Sequence, residues 1–116
     1  MAKIQITDLN IRTILGINDW ERKNRQEILI NITFNYDCKK ARQKDDVNNV
    51  VDYKSLTKKI ISKVENSQFF LLEKLTEFVL DLVMEDARIQ NASVRIDKPH
   101  ALRFAKSVSV ELSAKR

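Results

Sequence analysis

The stretch Leu71-Leu72-Glu73-Lys74-Leu75 decides how the fold of this chain is interpreted. It opens the longest periodic apolar segment, which runs to Met84, and its steps of three and four residues predict an amphipathic helix. The apolar positions are Leu71, Leu72, Leu75, Phe78, Val79, Leu82 and Val83. At about 100° per residue, Glu73 points away from the stripe centred on Leu75. We therefore expect Glu73 outside the core, where water or a bound molecule takes its carboxylate.

Alternating apolar residues predict four strands around this helical segment. The first covers residues 3–14, and its change of phase near Asp8 predicts a β-bulge. The second covers residues 27–38, and the last two lie around residues 92–97 and 107–112. Two strands therefore precede the helical segment and two follow it.

A further helix is predicted from Tyr53 to about Glu65, because Asp52 is a good N-cap residue. The polar residues 16–26 and the charged residues 39–49 are interpreted as connections. The order strand, strand, helix, helix, strand, strand predicts an α+β fold, with an antiparallel sheet and both helices on one face. The other face is polar with few charges, as the wall of a water-filled tunnel between subunits would be. Its residues are Asn31, Thr33, Asn35, Ser93, Arg95, Ser107 and Ser109.

Length and composition indicate one domain, residues 1–116, with one ordinary core. No signal peptide is predicted, and no apolar run approaches the roughly 18 residues of a membrane span. The single cysteine, Cys38, excludes an internal disulfide and makes a cytoplasmic location the expectation. The net charge of +5 favours anionic partners only weakly, because the basic residues are scattered among 16 acidic ones.

The rarity of histidine and glycine excludes several kinds of metal and nucleotide-binding site. With only His100 and Cys38, the chain cannot supply the ligands of a usual zinc site. With only Gly16, it has no glycine-rich phosphate loop or dinucleotide fingerprint. If the chain is an enzyme, we expect Lys, Tyr and carboxylate chemistry without a metal or another cofactor.

Several short motifs, spread over essentially the whole chain, resemble the dihydroneopterin aldolase family. They are Gly16-Ile17-Asn18-Asp19-Trp20-Glu21, Arg25-Gln26-Glu27-Ile28, Asp52-Tyr53, Leu71-Leu72-Glu73-Lys74-Leu75 and Val94-Arg95-Ile96-Asp97-Lys98-Pro99. Residues 97–105, Asp-Lys-Pro-His-Ala-Leu-Arg-Phe-Ala, are most similar to the dihydroneopterin triphosphate 2′-epimerase branch of the family. The Asp19-Trp20-Glu21 piece, by contrast, is more similar to the aldolases.

The resemblance implies the tunnelling fold of this family. In that architecture, four subunits form a barrel through edge-to-edge strand pairing, and two barrels stack into a homo-octamer. Ring closure would pair the strand edges that a single subunit leaves open. Active sites would lie between neighbouring subunits, where the outward-facing Glu73 is available.

The resemblance also implies roles for four residues. Lys98 and Tyr53 match the catalytic residues that transfer protons, and a lysine can do so near neutral pH when burial lowers its pKa. Glu73 matches the anchor of the pterin ring, whose adjacent N–H groups a carboxylate accepts in parallel. Glu21 matches a loop carboxylate near the substrate hydroxyls, expected to reach across from a neighbouring subunit. Each residue also has a structural interpretation, as a surface charge or, for Tyr53, a helix-rim aromatic.

The implied reaction is a retro-aldol cleavage of the 1′–2′ carbon bond of a 7,8-dihydroneopterin compound. Re-addition of the aldehyde would make the chain a dihydroneopterin triphosphate 2′-epimerase, the favoured hypothesis. Release of glycolaldehyde would make it a dihydroneopterin aldolase of folate biosynthesis, the alternative. A triphosphate needs cations at the mouth of the site, and Arg12, Arg103 and Lys106 are candidates, with Arg22, Lys23 and Arg25.

Two other classes of protein remain open from sequence. A basic nucleic-acid-binding module would need aromatic residues interleaved with cations on one sheet face, but the predicted polar face carries Asn, Thr and Ser. A ring protein without catalytic activity would be expected to lack Lys98 or Glu73, and both are present. We therefore expect a small pterin substrate rather than a nucleic acid or membrane partner. The sequence assigns no task to His100 or Cys38.

Overall fold

A five-stranded sheet with two long helices on one face forms the structure, a computed structural model that describes residues 1–116. The strands lie in the order β3-β1-β2-β4-β5. They are β1 (Ala2–Leu15), β2 (Gln26–Tyr36), β3 (Gln68–Phe69), β4 (Ile89–Pro99) and β5 (Ser107–Lys115). The helices are α1 (Asp19–Lys23), α2 (Lys39–Lys44), α3 (Tyr53–Glu65) and α4 (Leu72–Met84). No helix has both the length and the apolar character needed to cross a membrane.

The core lies between the sheet and the helices α3 and α4. Leu75, Val79 and Val83 of α4 are fully buried, and so are Ile60 and Val64 of α3. Opposite them, alternate residues of β2 and β4 are buried as well, which confirms the predicted α+β arrangement. The predicted orientation of α4 is also confirmed, because Glu73 is exposed.

The predicted bulge in β1 is present. The register between β1 and β2 shifts between Ile6 and Leu9, and Asp8 adopts a φ of 53°. The backbone N–H of Asp8 donates to Oδ1 of Asn31 at 2.9 Å, so the residue left out of the ladder still has a partner. The bulge returns Leu9 and Ile11 to the side that packs against the core.

Two segments expected to be plain connections contain short helices. Residues 16–26 hold α1, and residues 39–49 hold α2 and a 3₁₀ turn, Val47–Asn49. The prediction was wrong for α1 because a capping box, in which Asn18 and Glu21 bond each other's backbone, starts a helix too short to show periodicity. For α2, the buried Ala41 provides a single apolar contact that no periodic pattern reveals.

The other face of the sheet is lined by paired polar residues, and the outer edges of the sheet are largely open. Across β2 and β4, Asn31 lies opposite Arg95, and Thr33 opposite Ser93. Beyond β1, the sheet continues only over the two residues of β3, and β5 has no neighbour on its outer side. The radius of gyration is 15.5 Å, whereas a compact domain of this length has about 13 Å. The shape is therefore extended, with one polar face and two strand edges uncovered.

Replacing the buried Thr13 by valine tests the bond that joins β1 to the end of α3. The Thr13 hydroxyl contacts the carbonyl oxygens of Val64 and Ser67 at 2.7 and 3.1 Å. Thr13→Val leaves the Ser67 carbonyl without this donor, so we expect the free energy of unfolding to fall by about 1–2 kcal/mol. Urea denaturation measures the change. The matched control is Thr7→Val on the exposed part of the same strand, and equal losses in both variants would contradict the prediction.

Candidate functional site

An ion pair between β4 and α1 lies at the end of β4. Lys98 lies two residues after the buried Ile96, on the same side of the strand, and its Nζ donates to Oε2 of Glu21 on α1. The side chains of Lys98 and Glu21 are only 14% and 15% exposed. A lysine and a carboxylate are thus held together in a partly buried site.

The Glu21 carboxylate is also bonded by three groups besides Lys98. Its Oε1 accepts from the backbone N–H groups of Ile17 and Asn18 at 3.2 and 3.4 Å. Its Oε2 accepts from Nε2 of Gln26 at 3.3 Å. Gly16 leaves room for this carboxylate, because a Cβ atom built there would overlap it. Gly16 also has a φ of +131°, which L-residues rarely adopt.

The charge of Glu21 follows from these contacts. Burial raises the pKa of the Glu21 carboxyl, but the hydrogen bonds from Lys98 and Gln26 and the charge of Lys98 outweigh burial. The pKa of Glu21 is therefore lowered from its ordinary value, and the group is ionised at neutral pH.

Arg22 ties α1 to the segment that leads into α4. Its Nη1 donates to the carbonyl oxygens of Gly16 and Phe69, both at 3.1 Å, and its Nη2 donates to that of Gln68 at 2.8 Å. Its guanidinium also lies 4.0 Å from the ring centre of Phe70. Lysine could not reproduce this planar set of contacts. Arg22 is therefore occupied by structural bonds, although its charge had made it a candidate for binding phosphate.

Glu73 stands in the first turn of α4, four residues after Phe69. Its carboxylate makes no hydrogen bond or ion pair within the chain, and Leu71 at the N-cap position provides no side-chain bond to the first turn. Unpaired backbone N–H groups and an exposed carboxylate therefore lie side by side at the start of α4. Together they offer donors and an acceptor to a planar polar molecule.

Tyr53 is distant from Lys98 within the chain. It begins α3 and is 53% exposed. It lies close to the start of β4, since Arg88, the residue before that strand, donates to the carbonyl oxygen of Val50 at 2.7 Å. Lys98 lies nine residues further along that strand than Ile89, which corresponds to about 30 Å. The structure therefore brings together Lys98 and Glu21 but leaves Tyr53 at the opposite end of the sheet.

Of the six candidate phosphate-binding residues, Arg12, Arg103 and Lys106 do not line one common groove. Arg12 lies on β1 and donates to the backbone carbonyl of Arg25 at 3.3 Å. Arg103 lies in the exposed loop before β5, over the ring of Phe104 at 5.5 Å. Lys106 lines a different groove, which it shares with Asp97 and other charged residues. No three His, Cys, Asp or Glu side chains are grouped closely enough to hold a metal ion.

Comparison with known proteins gives the family. A sequence profile of the family Dihydroneopterin aldolase matches residues 4–113. The chain belongs to this family. It is 50% identical over 115 residues to dihydroneopterin triphosphate 2′-epimerase of Escherichia coli, covering 99% of this chain and 96% of that protein. It is 46% identical over 116 residues to the epimerase of Pseudomonas aeruginosa, covering 100% and 94%.

A solved structure of the dihydroneopterin aldolase family has the same fold. The crystal structure of E. coli dihydroneopterin aldolase in complex with neopterin superposes with a TM-score of 0.93 at 28% identity, covering 98% of this chain and 99% of that one. The fold and the family expected from the sequence motifs are therefore confirmed.

The sequence indicated some contacts of this candidate site and missed others. Glu21 was expected to reach a neighbouring subunit, whereas it contacts Lys98 of its own chain, because α1 folds back over the end of β4. Gln26 and the structural role of Arg22 were not anticipated. The only available signal was Asn18 followed three residues later by Glu21, the signature of a capping box.

Titration of Glu21 tests the ion pair. We expect its carboxyl in the folded protein to titrate below 4.5, its ordinary value, and to titrate higher in a Lys98→Met variant. Burial remains in that variant, while the bond from Lys98 and its charge are lost. Carbon-detected NMR of the glutamate carboxyls measures both midpoints.

The lowered pKa of Glu21 also predicts how the stability of the fold depends on pH. Because the folded pKa is lowered, Glu21 stabilises the fold above pH 4.5, and this contribution is lost as the pH falls through the folded pKa.

In the titration experiment, a Lys63→Met control, on the exposed side of α3, should leave the Glu21 midpoint unchanged. An unchanged midpoint in Lys98→Met would show that the pair does not form in solution.

Proposed function

We propose that this chain is a dihydroneopterin triphosphate 2′-epimerase, in which Lys98 and Glu21 transfer the proton of the reacting hydroxyl. The proposal rests on the Lys98–Glu21 ion pair, in a chain that is 50% identical in sequence to a dihydroneopterin triphosphate 2′-epimerase. A lysine bonded to an ionised carboxylate is a donor–acceptor pair through which a proton can be taken from a hydroxyl and later returned.

The proposed chemistry is a reversible retro-aldol reaction. Loss of the proton from the 2′ hydroxyl lets the 1′–2′ carbon bond break, and the electron pair moves into the dihydropterin imine, which becomes an enamine. The aldehyde formed at the 2′ carbon then rotates and accepts the enamine carbon on its other face. The proton returns to the 2′ oxygen, so the 2′ centre is inverted and no atom is lost.

In this proposal, Glu73 anchors the pterin ring. The exposed carboxylate accepts two parallel hydrogen bonds from the pyrimidine edge of the ring, as carboxylates do with paired N–H donors. The neighbouring N–H groups at the start of α4 can donate to the ring carbonyl and nitrogen. Arg22 takes no part in binding but holds α1 and β3 together, so that Glu21 and Glu73 keep a fixed separation.

The proposed site also needs a second copy of the chain. Tyr53 lies near the start of β4, whereas Lys98 lies nine residues, about 30 Å, further along that strand, so a site that uses both takes Tyr53 from a neighbouring subunit. The outer edge of β5, the part of β1 that β3 does not pair with and the polar sheet face support assembly into closed rings. We propose the homo-octamer of two tetrameric rings, with sites between subunits.

Aldolase activity is the second candidate function. The solved structure that superposes with a TM-score of 0.93 is named as a dihydroneopterin aldolase and holds neopterin. Both reactions share the first step, and only the fate of the enamine separates them. Protonation of the enamine would release glycolaldehyde and leave 6-hydroxymethyl-7,8-dihydropterin.

A product assay decides between the two activities. The purified protein receives 7,8-dihydroneopterin and its triphosphate in parallel, with glycolaldehyde and the 2′ epimer measured by chromatography. We expect epimer from the triphosphate, with little aldehyde. Rapid glycolaldehyde release from the unphosphorylated substrate would assign the aldolase function instead. The absence of both products would overturn the proposal and favour a ring protein without catalytic activity.

Mixing of variant subunits tests the shared site. We expect Tyr53→Phe and Lys98→Gln homo-oligomers each to lose most of their turnover. Random co-assembly should restore about a quarter of the wild-type activity, because one site in four combines two intact contributions.

The control co-assembles the doubly substituted chain with wild-type chain in the same proportions, with different affinity tags on the two chains to verify mixing. If Tyr53 and Lys98 of one chain served the same site, the mixture of single variants would remain inactive. The double variant with wild type would then retain about half of the activity.

A further inference from the structure

A basic groove runs between the start of β2 and the last turns of α3. Its volume is about 570 Å³, and it is lined by Arg12, Arg25, Lys58, Ile61, Ser62, Glu65 and Asn66. Three cations thus face a single carboxylate, and Ser62 and Asn66 add neutral polar groups. This excess of positive charge in a concave surface attracts anions.

The cations of the basic groove are not neutralised by ion pairs. Arg12 donates to the backbone carbonyl of Arg25 at 3.3 Å, and Arg25 donates to that of Glu65 at 2.6 Å. Lys58 has no hydrogen-bond partner in the chain, and none of the three belongs to a salt bridge. Each guanidinium is therefore oriented by a carbonyl while its other N–H groups and its charge remain available.

The basic groove is continuous with the end of β4. A second groove, of about 310 Å³, is lined by Arg12, Trp20, Arg25, Gln26, Glu27, Pro99 and His100. Arg12 and Arg25 therefore belong to both grooves, and Pro99 directly follows Lys98. Arg12 pairs with Glu27, and the β2–β4 register continued from Leu29 and Asp97 brings Glu27 beside Pro99. Two strand spacings, about 10 Å, thus separate the backbones of Arg12 and Pro99.

We infer that the basic groove binds the phosphate chain of the substrate, with Arg12 and Arg25 at its near end and Lys58 at its far end. The inference rests on the proposed function and adds a specificity site to it. The reacting 2′ carbon lies at Lys98, and the triphosphate begins on the adjacent 3′ carbon. From there the phosphate chain runs past Pro99 to the two arginines, whose planar N–H groups suit phosphate oxygens.

The inference keeps Arg12 and Arg25 of the six candidate phosphate-binding residues and adds Lys58. The groove around Lys106 also holds Asp8, Glu27 and Asp97, and its second cation, Arg95, is paired with Asp97 at 2.9 Å. Acidic groups therefore outnumber cations there, which disfavours a polyanion. Arg103 lines neither of the two grooves that contain Arg12. Lys58 could be found only from the structure, because α3 carries several exposed lysines with no sequence signal to separate them.

The test compares Lys58→Glu with Lys63→Glu. Both are exposed lysines of α3 without an ion-pair partner, and both substitutions change the charge by the same amount, but only Lys58 lines the basic groove. Two quantities are measured at constant low ionic strength. They are the ratio of kcat/KM for dihydroneopterin triphosphate to that for 7,8-dihydroneopterin, and the Kd of inorganic tripolyphosphate by calorimetry.

We expect Lys58→Glu to lower the kcat/KM ratio about tenfold or more and to weaken tripolyphosphate binding to a similar extent. Lys63→Glu should change both by less than about twofold, as exposed charges outside a site do. Equal effects of the two substitutions, or a ratio unchanged in Lys58→Glu, would overturn the inference.

Failure of the proposed function would give a different result. A wild-type protein that turns over neither pterin would overturn the proposed epimerase. Tripolyphosphate binding would then still decide whether the groove is a polyanion site. A Kd in Lys58→Glu equal to that of the wild type would overturn that assignment as well.

Discussion

The hydrogen bonds of one carboxylate hold together the end of the sheet that carries the candidate site. Glu21 accepts from the loop before α1, from Gln26 on β2 and from Lys98 on β4. Since α1 has no buried residue, these bonds and those of Arg22 replace the apolar packing that fixes the longer helices. A segment attached in this way opens at a lower free energy than the core, which suits a region that must admit and release a substrate.

Local patterns predicted the parts of the fold that depend on local physics. The outward direction of Glu73, the bulge at Asp8 and the start of α3 after Asp52 each follow from residue spacing or capping chemistry. The strand order, which leaves β3 and β5 at the edges of the sheet, depends on contacts between distant segments. Residue spacing alone does not predict that order.

The candidate site was harder to predict, because its contacts span long sequence separations. Motif resemblance identified Lys98, Glu21, Glu73 and Tyr53 as a set but did not reveal which of them meet within one chain. Lys98 and Glu21 are 77 positions apart in sequence, so no periodicity links them. The separation of Tyr53 from Lys98 follows from the direction of β4, which spacing in the sequence does not give.

The glycine usage of the chain has a consequence for the entropy of folding. Gly16 is the only glycine among 116 residues, and elsewhere positive φ angles are adopted by Asp8, Asp45 and His100. A chain so poor in glycine has fewer unfolded conformations to lose when it folds. The single glycine, Gly16, lies beside the Glu21 carboxylate, where a side chain would overlap that group. Glycine is therefore used in this chain only where the backbone approaches the Glu21 carboxylate, and the other positions with positive φ are occupied by other residues.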